Sequence, residues 1–358
     1  MAIATAAADI ARTEAFAERT LGILNDAFLA LGLSVGHQTN LFDVLGSLPP
    51  STSGEIAAAA NLNERYVREW LGAMTVGRIV EYDPASRRYV LPPEHAASLA
   101  RAAGPANIAG QAQFVALLAQ VEDDVVRCFR HGGGVSYERY GRFARLMRDE
   151  SATVYDAALI DAILPLVDGL TERLRLGVDL ADIGCGAGHA INLMARAFPN
   201  SRFTGFDFLE EGLAIGRAEA AEWGLRNVRF EQQDVSQLTV NAAFDAITAF
   251  DAIHDQAQPR QVLARIHRAL KPGGVFLMAD VASSSRLEEN LDLPFAPFGY
   301  SVSYLHCMSV SLAQGGEGLG TMWGQQQALE LLAEAGFTAT TVTRVDGDWF
   351  NNYFIAPK

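Results

Sequence analysis

The residues best suited to proton transfer in this sequence lie in one short loop. Asp251, His254 and Asp255 follow an apolar, strand-like run at 244–250 and precede Pro259, where a helical pattern begins. Histidine suits the removal of a proton from a hydroxyl group, because its usual pKa of about 6.5 lies near cellular pH. A neighbouring carboxylate can orient the imidazole, and either Asp251 or Asp255 could do so. A polar loop that only caps the next helix would contain the same residue types, so the sheet behind the loop decides between the two interpretations.

Strand-like and helix-like segments alternate from residue 178 onward. The strands are predicted at 178–183, 202–206, 228–231, 244–250 and 275–278. This alternation predicts a parallel sheet with helices on both faces. Open sheets of this kind bind ligands at the carboxyl ends of their strands. The loop that contains His254 follows the fourth strand, so it is predicted at the ligand-binding edge.

A glycine-rich turn follows the first of these strands. The segment 182–188 reads DIGCGAG, and a helix is predicted from His189. Glycine lets the backbone approach a ligand closely, and the first turn of a helix offers unpaired N–H groups. The next strand ends at Asp207, where a carboxylate can accept hydrogen bonds from both hydroxyls of a ribose. The turn and Asp207 together predict a nucleotide site, whereas the turn alone would be a weak signal.

This half of the chain resembles the class I S-adenosylmethionine-dependent methyltransferases. The resemblance rests, in order, on 182–188, Asp207, Asp234 with Val235, and the LKPGG segment at 270–274. A closing antiparallel hairpin is also predicted, from 337–345 and 349–355, and nicotinamide-dependent dehydrogenases lack it. The resemblance implies an α/β fold with a Rossmann-like, seven-stranded methyltransferase sheet.

The same resemblance implies a binding site for S-adenosylmethionine, with S-adenosylhomocysteine as the product. The residues expected to contact this cofactor are Asp182, Gly184, Cys185, Gly186, Gly188, Asp207, Phe208, Asp234, Val235, Phe250 and Asp251. The three glycines would line the methionine part, Asp207 would hold the ribose, and Asp234 with Val235 the adenine. If these residues have no role in binding a ligand, they are expected to be strand caps, turn acids and core phenylalanines.

The complete layout is similar to small-molecule O-methyltransferases that carry an N-terminal dimerisation domain, and to bacterial winged-helix methyltransferases of unassigned substrate. In the first group, a histidine directly before an aspartate supplies the base, and the AIHD segment at 252–255 matches that pattern. The resemblance therefore implies His254 and Asp255 as catalytic residues. It also implies a small apolar or aromatic methyl acceptor, with O-methylation favoured. Gln256 replaces the usual tryptophan, which leaves the acceptor unidentified.

Two further features of this half bear on the site. Asp251, Asp255 and Asp280 could hold a metal ion, but aspartates are common at sheet edges without one, and no metal is predicted. The segment 295–308 is rich in aromatic residues and contains His306. It is expected either to wall an apolar acceptor pocket or to be part of the core.

The first part of the chain predicts a winged helix. A helical pattern with Asn61 as its N-cap and Glu64 as the capping-box partner precedes a hairpin at 79–91. Seven acids and five arginines lie between residues 41 and 98, and Arg65 and Arg68 accompany Glu64 and Glu69 on one helix. A DNA reader normally has a basic face, so binding to nucleic acid is not expected.

The N-terminal residues 10–33 place apolar side chains on one helical face, namely Ala17, Leu21, Leu24, Phe28 and Leu31. Packing of this face within its own domain is expected, with a partner helix as the alternative. The N-terminal helices nevertheless make a homodimer the expected assembly. Three domains are predicted: 1–98 with the N-terminal helices and the winged helix, 99–172 as a helical bridge or cover, and 173–358 as the cofactor-binding domain.

Composition limits the other functions that the chain could have. The net charge of −14 repels polyanions, and no apolar run approaches the ~20 residues that span a bilayer. The three cysteines form no Cys-x-x-Cys pair, so reduced thiols and a cytoplasmic location are expected. A regulator that binds S-adenosylmethionine as a signal is the alternative function, because of the winged helix. A nicotinamide-dependent dehydrogenase is disfavoured by the G-x-G-x-G spacing and the closing hairpin.

Overall fold

The computed structural model of the protein describes residues 7–358, which separate into two compact units with the boundary between Ala116 and Leu117. The three-domain division at residues 98 and 172 stays a prediction from the sequence. No helix in the described part of the chain is both long and apolar enough to cross a membrane.

The first unit has the order of elements of a winged helix. Its elements are α1 (Ala7–Gln38), α2 (Leu41–Ser47), α3 (Ser53–Ala60), α4 (Glu64–Val76), β1 (Glu81–Asp83), β2 (Arg88–Val90) and α5 (Pro93–Leu99). β1 and β2 pair antiparallel, with Tyr82 opposite Tyr89. Apolar positions at helical spacing bury Val67, Leu71 and Met74 of α4 in the core of this unit. The predicted winged helix is therefore confirmed.

The helix caps in this unit differ from the prediction. Asn61 is the C-cap of α3, with φ 53° and ψ 45°, and not an N-cap. Its left-handed backbone satisfies the end of α3, whereas an N-cap needs an extended backbone. Asn63 caps α4 instead, by accepting from the Arg65 N–H at 3.1 Å. The capping box lies one helix earlier, where Thr52 and Glu55 bond reciprocally at the start of α3.

The expectation that the apolar face of α1 packs within its own domain is wrong for most of that face. Leu21, Leu24 and Phe28 are 60%, 54% and 73% exposed. Contacts between α1 and the core of the first unit begin at Leu29 and Leu33. The earlier turns of α1 therefore leave a row of large apolar side chains in water.

The second unit contains a seven-stranded sheet. Its strands are β3 (Asp179–Ile183), β4 (Arg202–Asp207), β5 (Val228–Gln232), β6 (Phe244–Phe250), β7 (Leu270–Val281), β8 (Thr341–Thr343) and β9 (Asn351–Pro357). They lie in the order β5-β4-β3-β6-β7-β9-β8. β3 to β7 are parallel, while β9 is antiparallel to both of its neighbours. This confirms the Rossmann-like methyltransferase sheet and its closing hairpin.

The helices of the second unit pack on both faces of the sheet and around its carboxyl edge. After α6 (Gln113–Ala119), which crosses the boundary between the units, the chain forms α7 (Glu122–His131), α8 (Phe143–Ala158), α9 (Leu170–Leu176), α10 (His189–Ala197), α11 (Glu210–Glu222), α12 (Pro259–Ala269), α13 (Ala296–Val302), α14 (Met308–Ala313) and α15 (Gly324–Glu334). One core contains α12 and α15, and the other contains α9 and α10. Strands that are buried on both faces read as nearly continuous apolar runs, as β6 does.

We expect Thr52→Ala to destabilise α3 by about 1 kcal/mol, because the mutation removes a side-chain acceptor from the first turn of the helix. Hydrogen exchange of the α3 amides should then be about five-fold faster. Ser47→Ala is the control, since that hydroxyl bonds only to Val44 at the end of α2. Equal exchange in α3 of both variants would contradict the assigned capping box.

Candidate functional site

The carboxyl edge of the parallel strands brings the predicted site residues into one region. β3 ends at Ile183, β4 at Asp207 and β6 at Phe250. β7 lies beside β6, with Phe250 opposite Ala279, so Asp280 lies next to the loop that follows β6. Acids from three strand ends thus share one edge of the sheet, as expected for ligand-binding loops of a parallel sheet.

The glycine-rich turn after β3 needs glycine for two different reasons. Gly184, Gly186 and Gly188 have φ angles of 66°, 54° and 71°, which side chains rarely adopt. A Cβ at Gly184 would lie 2.5 Å from the Cβ of Ala252, and a Cβ at Gly188 would lie 2.3 Å from the ring of Phe230. A Cβ at Gly186 would meet nothing within 4 Å, so this part of the turn borders open space.

The turn is fixed to the end of β4. The N–H groups of Gly184 and Cys185 both donate to the carbonyl of Phe206, at 2.8 and 3.0 Å. The Asp207 carboxylate accepts from Gly186 N–H at 2.9 Å and from Leu209 N–H at 2.8 Å. Burial raises the pKa of Asp207, and these backbone donors oppose the shift. Asp207 therefore orders the turn, as a strand cap would, and is predicted to hold a ribose as well.

Asp234 and Val235 stand where the third parallel strand ends. Asp234 Oδ1 accepts from the N–H of Ser236 at 2.9 Å and from its hydroxyl at 2.7 Å, and so caps a short 3-10 helix. Val235 is buried. The structure thus accounts for Asp234 as a turn acid, and its contact with adenine stays a prediction.

The predicted aromatic contacts have different surroundings. Phe208 directly follows Asp207 and is 38% exposed. Phe250 packs against Tyr155, with ring centroids 5.1 Å apart. Phe208 is thus accessible to a ligand, whereas Phe250 is also part of the core.

Two further predicted cofactor residues are buried acids. Burial raises the pKa of Asp182 to about 7, although the Thr248 hydroxyl donates to it at 2.7 Å. Burial, with the charge of Asp280, raises the pKa of Asp251 to about 7. Asp251 Oδ1 is buried without a hydrogen-bond partner in the described residues. A positively charged ligand would favour the ionised forms of both acids.

His254 is held by Asp280, an acid that the sequence analysis did not assign to it. His254 is 4% exposed, and its Nδ1 lies 2.8 Å from Asp280 Oδ1. The same oxygen accepts from the Trp323 indole at 2.9 Å and from the Val281 N–H at 2.8 Å. The sequence contained one indication of this role, because Asp280 ends the predicted strand next to the one that leads to His254. Neither Asp251 nor Asp255 forms this bond.

Asp255 lies on the other side of the imidazole. Its Oδ1 is 3.4 Å from His254 Nε2, and its Oδ2 accepts from the Tyr137 hydroxyl at 3.0 Å. Burial lowers the pKa of His254, but Asp280 and Asp255 outweigh this effect and raise the pKa well above its usual value. Tyr137 could not be found from sequence spacing, because it lies far from His254 along the chain.

His306 lies in an aromatic environment beside these residues. Its ring stacks on Phe143 at 3.9 Å and meets the edges of Tyr137 and Tyr140 at 5.3 and 4.6 Å. Burial lowers the pKa of His306 to about 4, so the ring is neutral. Neither ring nitrogen has a hydrogen-bond partner among the described residues. His306 is therefore buried among aromatic side chains beside Asp255, and its segment's role as the wall of an acceptor pocket stays a prediction.

His254, Asp255 and Cys307 could also provide metal ligands. Their donor atoms lie within 4.8 Å of one another. Burial raises the pKa of the Cys307 thiol to about 11, however, so the group is protonated at neutral pH. A metal ion would need the thiolate and would occupy His254 Nε2. These groups suit proton transfer better than metal binding.

Comparisons with known proteins agree with both units. Residues 27–101 match the Rv2258c-like winged helix–turn–helix domain, and residues 176–336 match a methyltransferase domain. The malonyl-acyl-carrier-protein O-methyltransferase of Bacillus cereus is 24% identical over 151 residues, which are 42% of this chain and 49% of that protein. The chain spans about half the length of the curated relatives it matches.

Solved structures resemble the chain over almost its full length. A candidate O-methyltransferase from Nostoc punctiforme has a TM-score of 0.73 and 16% identity, over 95% of this chain and 98% of that one. Human N-acetylserotonin methyltransferase, solved with S-adenosylmethionine, has a TM-score of 0.66 and 17% identity, over 100% and 99%. At these identities the likeness concerns the fold. Together with the two domain matches, it shows that the chain contains a winged helix–turn–helix domain followed by a methyltransferase domain, with the fold of methyltransferases that bind S-adenosylmethionine.

Proposed function

We propose that the protein transfers the methyl group of S-adenosylmethionine to a hydroxyl group of a small apolar or aromatic molecule, with His254 as the general base. The observation that carries this proposal is the buried His254–Asp280 pair beside the glycine-rich turn. Asp255, on the far side of the imidazole, is assigned to the same machinery. The aromatic surroundings of His306 support an apolar or aromatic acceptor.

The residues at the sheet edge suit S-adenosylmethionine as the cofactor. This molecule is positively charged at its sulfonium and amino groups, and it supplies an electrophilic methyl group. Asp182 and Asp251 are buried acids with raised pKa values, and the free oxygen of Asp251 could accept from a cationic donor. The open space at Gly186 leaves room for a ligand beside Asp207. Phe208, Asp234 and Val235 would complete the nucleoside side of this site.

The chain's own contribution to the reaction is to hold and move a proton. A hydroxyl oxygen is a much better nucleophile once its proton has left, and neutral His254 can accept that proton at Nε2. Asp280 keeps Nδ1 protonated, so that Nε2 is the basic nitrogen, and it stabilises the imidazolium that forms. The burial of His254 excludes water from the transfer. No metal is assigned a role.

The alternative function, a regulator that binds DNA in response to S-adenosylmethionine, has less support. Arg65 pairs with Glu69 and Arg68 with Glu64 on the exposed side of α4, the helix that would read the DNA. The paired arginines leave no strongly basic face there, and the chain carries a net charge of −14. A cytoplasmic location remains a prediction from the sequence.

We further propose that the protein is a homodimer in which α1 contributes to the contact. Leu21, Leu24 and Phe28 form a row of exposed apolar side chains on this helix. Large apolar side chains in a row favour burial against another helix. A second copy of the chain offers an identical surface, which suits a two-fold symmetric contact.

Asp207→Ala should weaken the binding of S-adenosylhomocysteine by about 100-fold or more, because two charge-assisted hydrogen bonds to the ribose would be lost. Isothermal titration calorimetry measures this loss. Glu222→Ala, at the exposed end of α11, is the matched control and should bind as the wild type does. Unchanged affinity of Asp207→Ala for S-adenosylhomocysteine would contradict the assignment of Asp207 to the ribose.

His254→Ala should lower kcat by about 10²–10⁴-fold while the affinity for S-adenosylhomocysteine stays constant. In the wild type, kcat should rise with pH through the raised pKa of His254, since only the neutral imidazole accepts a proton. The assay uses labelled S-adenosylmethionine and a panel of phenols, catechols, amines and thiols. His131→Ala and chelator-treated enzyme are controls that should keep full activity. Wild-type turnover by His254→Ala would return His254 to a structural role.

The double substitution Leu24→Glu with Phe28→Glu should convert the protein to a monomer, because charges would replace the apolar row on α1. Light scattering after size-exclusion chromatography gives the mass directly. Ala15→Glu places a charge on the opposite side of the helix and should leave the dimer intact. A monomeric wild type, or a dimeric double variant, would contradict the proposed contact.

A further inference from the structure

We propose that Tyr137 is a positioning residue for the proton transfer: it holds Asp255 away from His254 and so leaves His254 Nε2 free for the methyl acceptor. This inference rests on the proposed role of His254 as the base. Tyr137 lies outside every motif of the methyltransferase domain, on the segment between α7 and α8.

The two oxygens of Asp255 have unequal partners. The Tyr137 hydroxyl donates to Oδ2 at 3.0 Å, whereas Oδ1 is 3.4 Å from His254 Nε2 and is buried without a hydrogen bond in the described part of the chain. A charge-assisted bond between imidazolium and carboxylate would be about 2.7–2.9 Å long. The Asp280 bond to Nδ1 has that length, at 2.8 Å. Asp255 is therefore near the imidazole but not bonded to it.

The backbone around Tyr137 is fixed from both sides. Val135 N–H donates to the Ser309 hydroxyl at 2.9 Å, and the Tyr140 hydroxyl donates to the Leu305 carbonyl at 2.6 Å. Gly134 approaches α14 so closely that a Cβ there would lie 1.9 Å from the Ser309 carbonyl oxygen. These contacts place the Tyr137 hydroxyl on Asp255 before any ligand binds.

The ring of Tyr137 connects the two halves of the proposed site. Its edge meets Phe208 at 5.1 Å, next to the predicted ribose residue Asp207. On the acceptor side it meets His306 at 5.3 Å. Replacing Tyr137 by phenylalanine would keep both ring contacts and remove only the hydroxyl, so the effect of the hydrogen bond on Asp255 can be measured separately.

Five groups determine the charge around the base. Asp280 from β7 faces Nδ1, and Asp255 faces Nε2. Asp251 at the end of β6 and Cys307 in the segment before α14 are also near, together with neutral His306. Of the two carboxylates nearest the ring, only Asp255 is restrained by Tyr137. Once released, it can turn fully toward Nε2, stabilise the imidazolium and block the acceptor.

Tyr137→Phe should therefore move the rising limb of the kcat–pH profile about one unit to higher pH. This shift is what a hydrogen bond of ordinary strength corresponds to. At neutral pH kcat should fall about ten-fold, and it should recover at high pH. Tyr353→Phe removes another buried tyrosine hydroxyl, one that donates to Asp348 and not to Asp255, and the rising limb of its kcat–pH profile should not move. A fall in kcat that is equal at all pH values, or an equal shift in Tyr353→Phe, would overturn the proposal.

A second measurement separates this proposal from the proposed function. Nuclear magnetic resonance of histidine-labelled protein reports the titration of the His254 ring directly, with His254→Ala used for the assignment. The midpoint should be higher in Tyr137→Phe than in the wild type, whether or not a methyl acceptor is found. An unchanged midpoint overturns the positioning role. Full activity of His254→Ala would instead contradict the proposed role of His254 as the general base. The effect of Tyr137 on the pKa of the His254 ring would still stand.

Discussion

The geometry of the site depends on one buried hydrogen bond between two strand ends. His254 follows β6 and Asp280 ends β7, and their side chains meet at 2.8 Å in a part of the molecule that water hardly reaches. A buried carboxylate is costly unless donors surround it, and Trp323 and the Val281 N–H provide further donors to the same oxygen. The parallel register of β6 with β7 is therefore what selects the partner of His254. A shift of one residue in the register of β7 against β6 would turn the Asp280 side chain to the other face of the sheet.

The same edge of the sheet holds two buried acids whose ionised forms a cation would favour. Burial raises the pKa values of Asp182 and Asp251 to about 7. The turn at 184–188 leaves open space at Gly186 while it packs tightly at Gly184 and Gly188. Rigid packing on two sides and open space on the third is a preorganised arrangement for a ligand with positive charge.

In the N-terminal unit, the order of the elements and the charges on α4 favour different functions. Its helices and hairpin have the order of a DNA-binding module, and its core is well packed around Trp70, Leu71 and Met74. The charged side chains of α4 pair with one another instead of forming a basic face. The exposed apolar row on α1 supports the proposed homodimer contact. Function here follows from side-chain chemistry and not from the arrangement of helices.

The sequence by itself determined the α/β class, the winged helix and the glycine-rich turn, because these depend on periodicity and short spacing. It also placed Asp207, His254 and Asp255 at strand ends as candidate site residues. Local patterns were less reliable at helix ends, where Asn61 has a left-handed backbone and cannot cap α4. The exposure of α1 depends on how far the core of its unit reaches, which no local pattern encodes. Only the tertiary structure decided which carboxylate holds His254, since Asp280 lies 26 residues away and is brought near by strand pairing. The same holds for Tyr137, which meets Asp255 across 118 residues of chain because α14 fixes the segment that carries it.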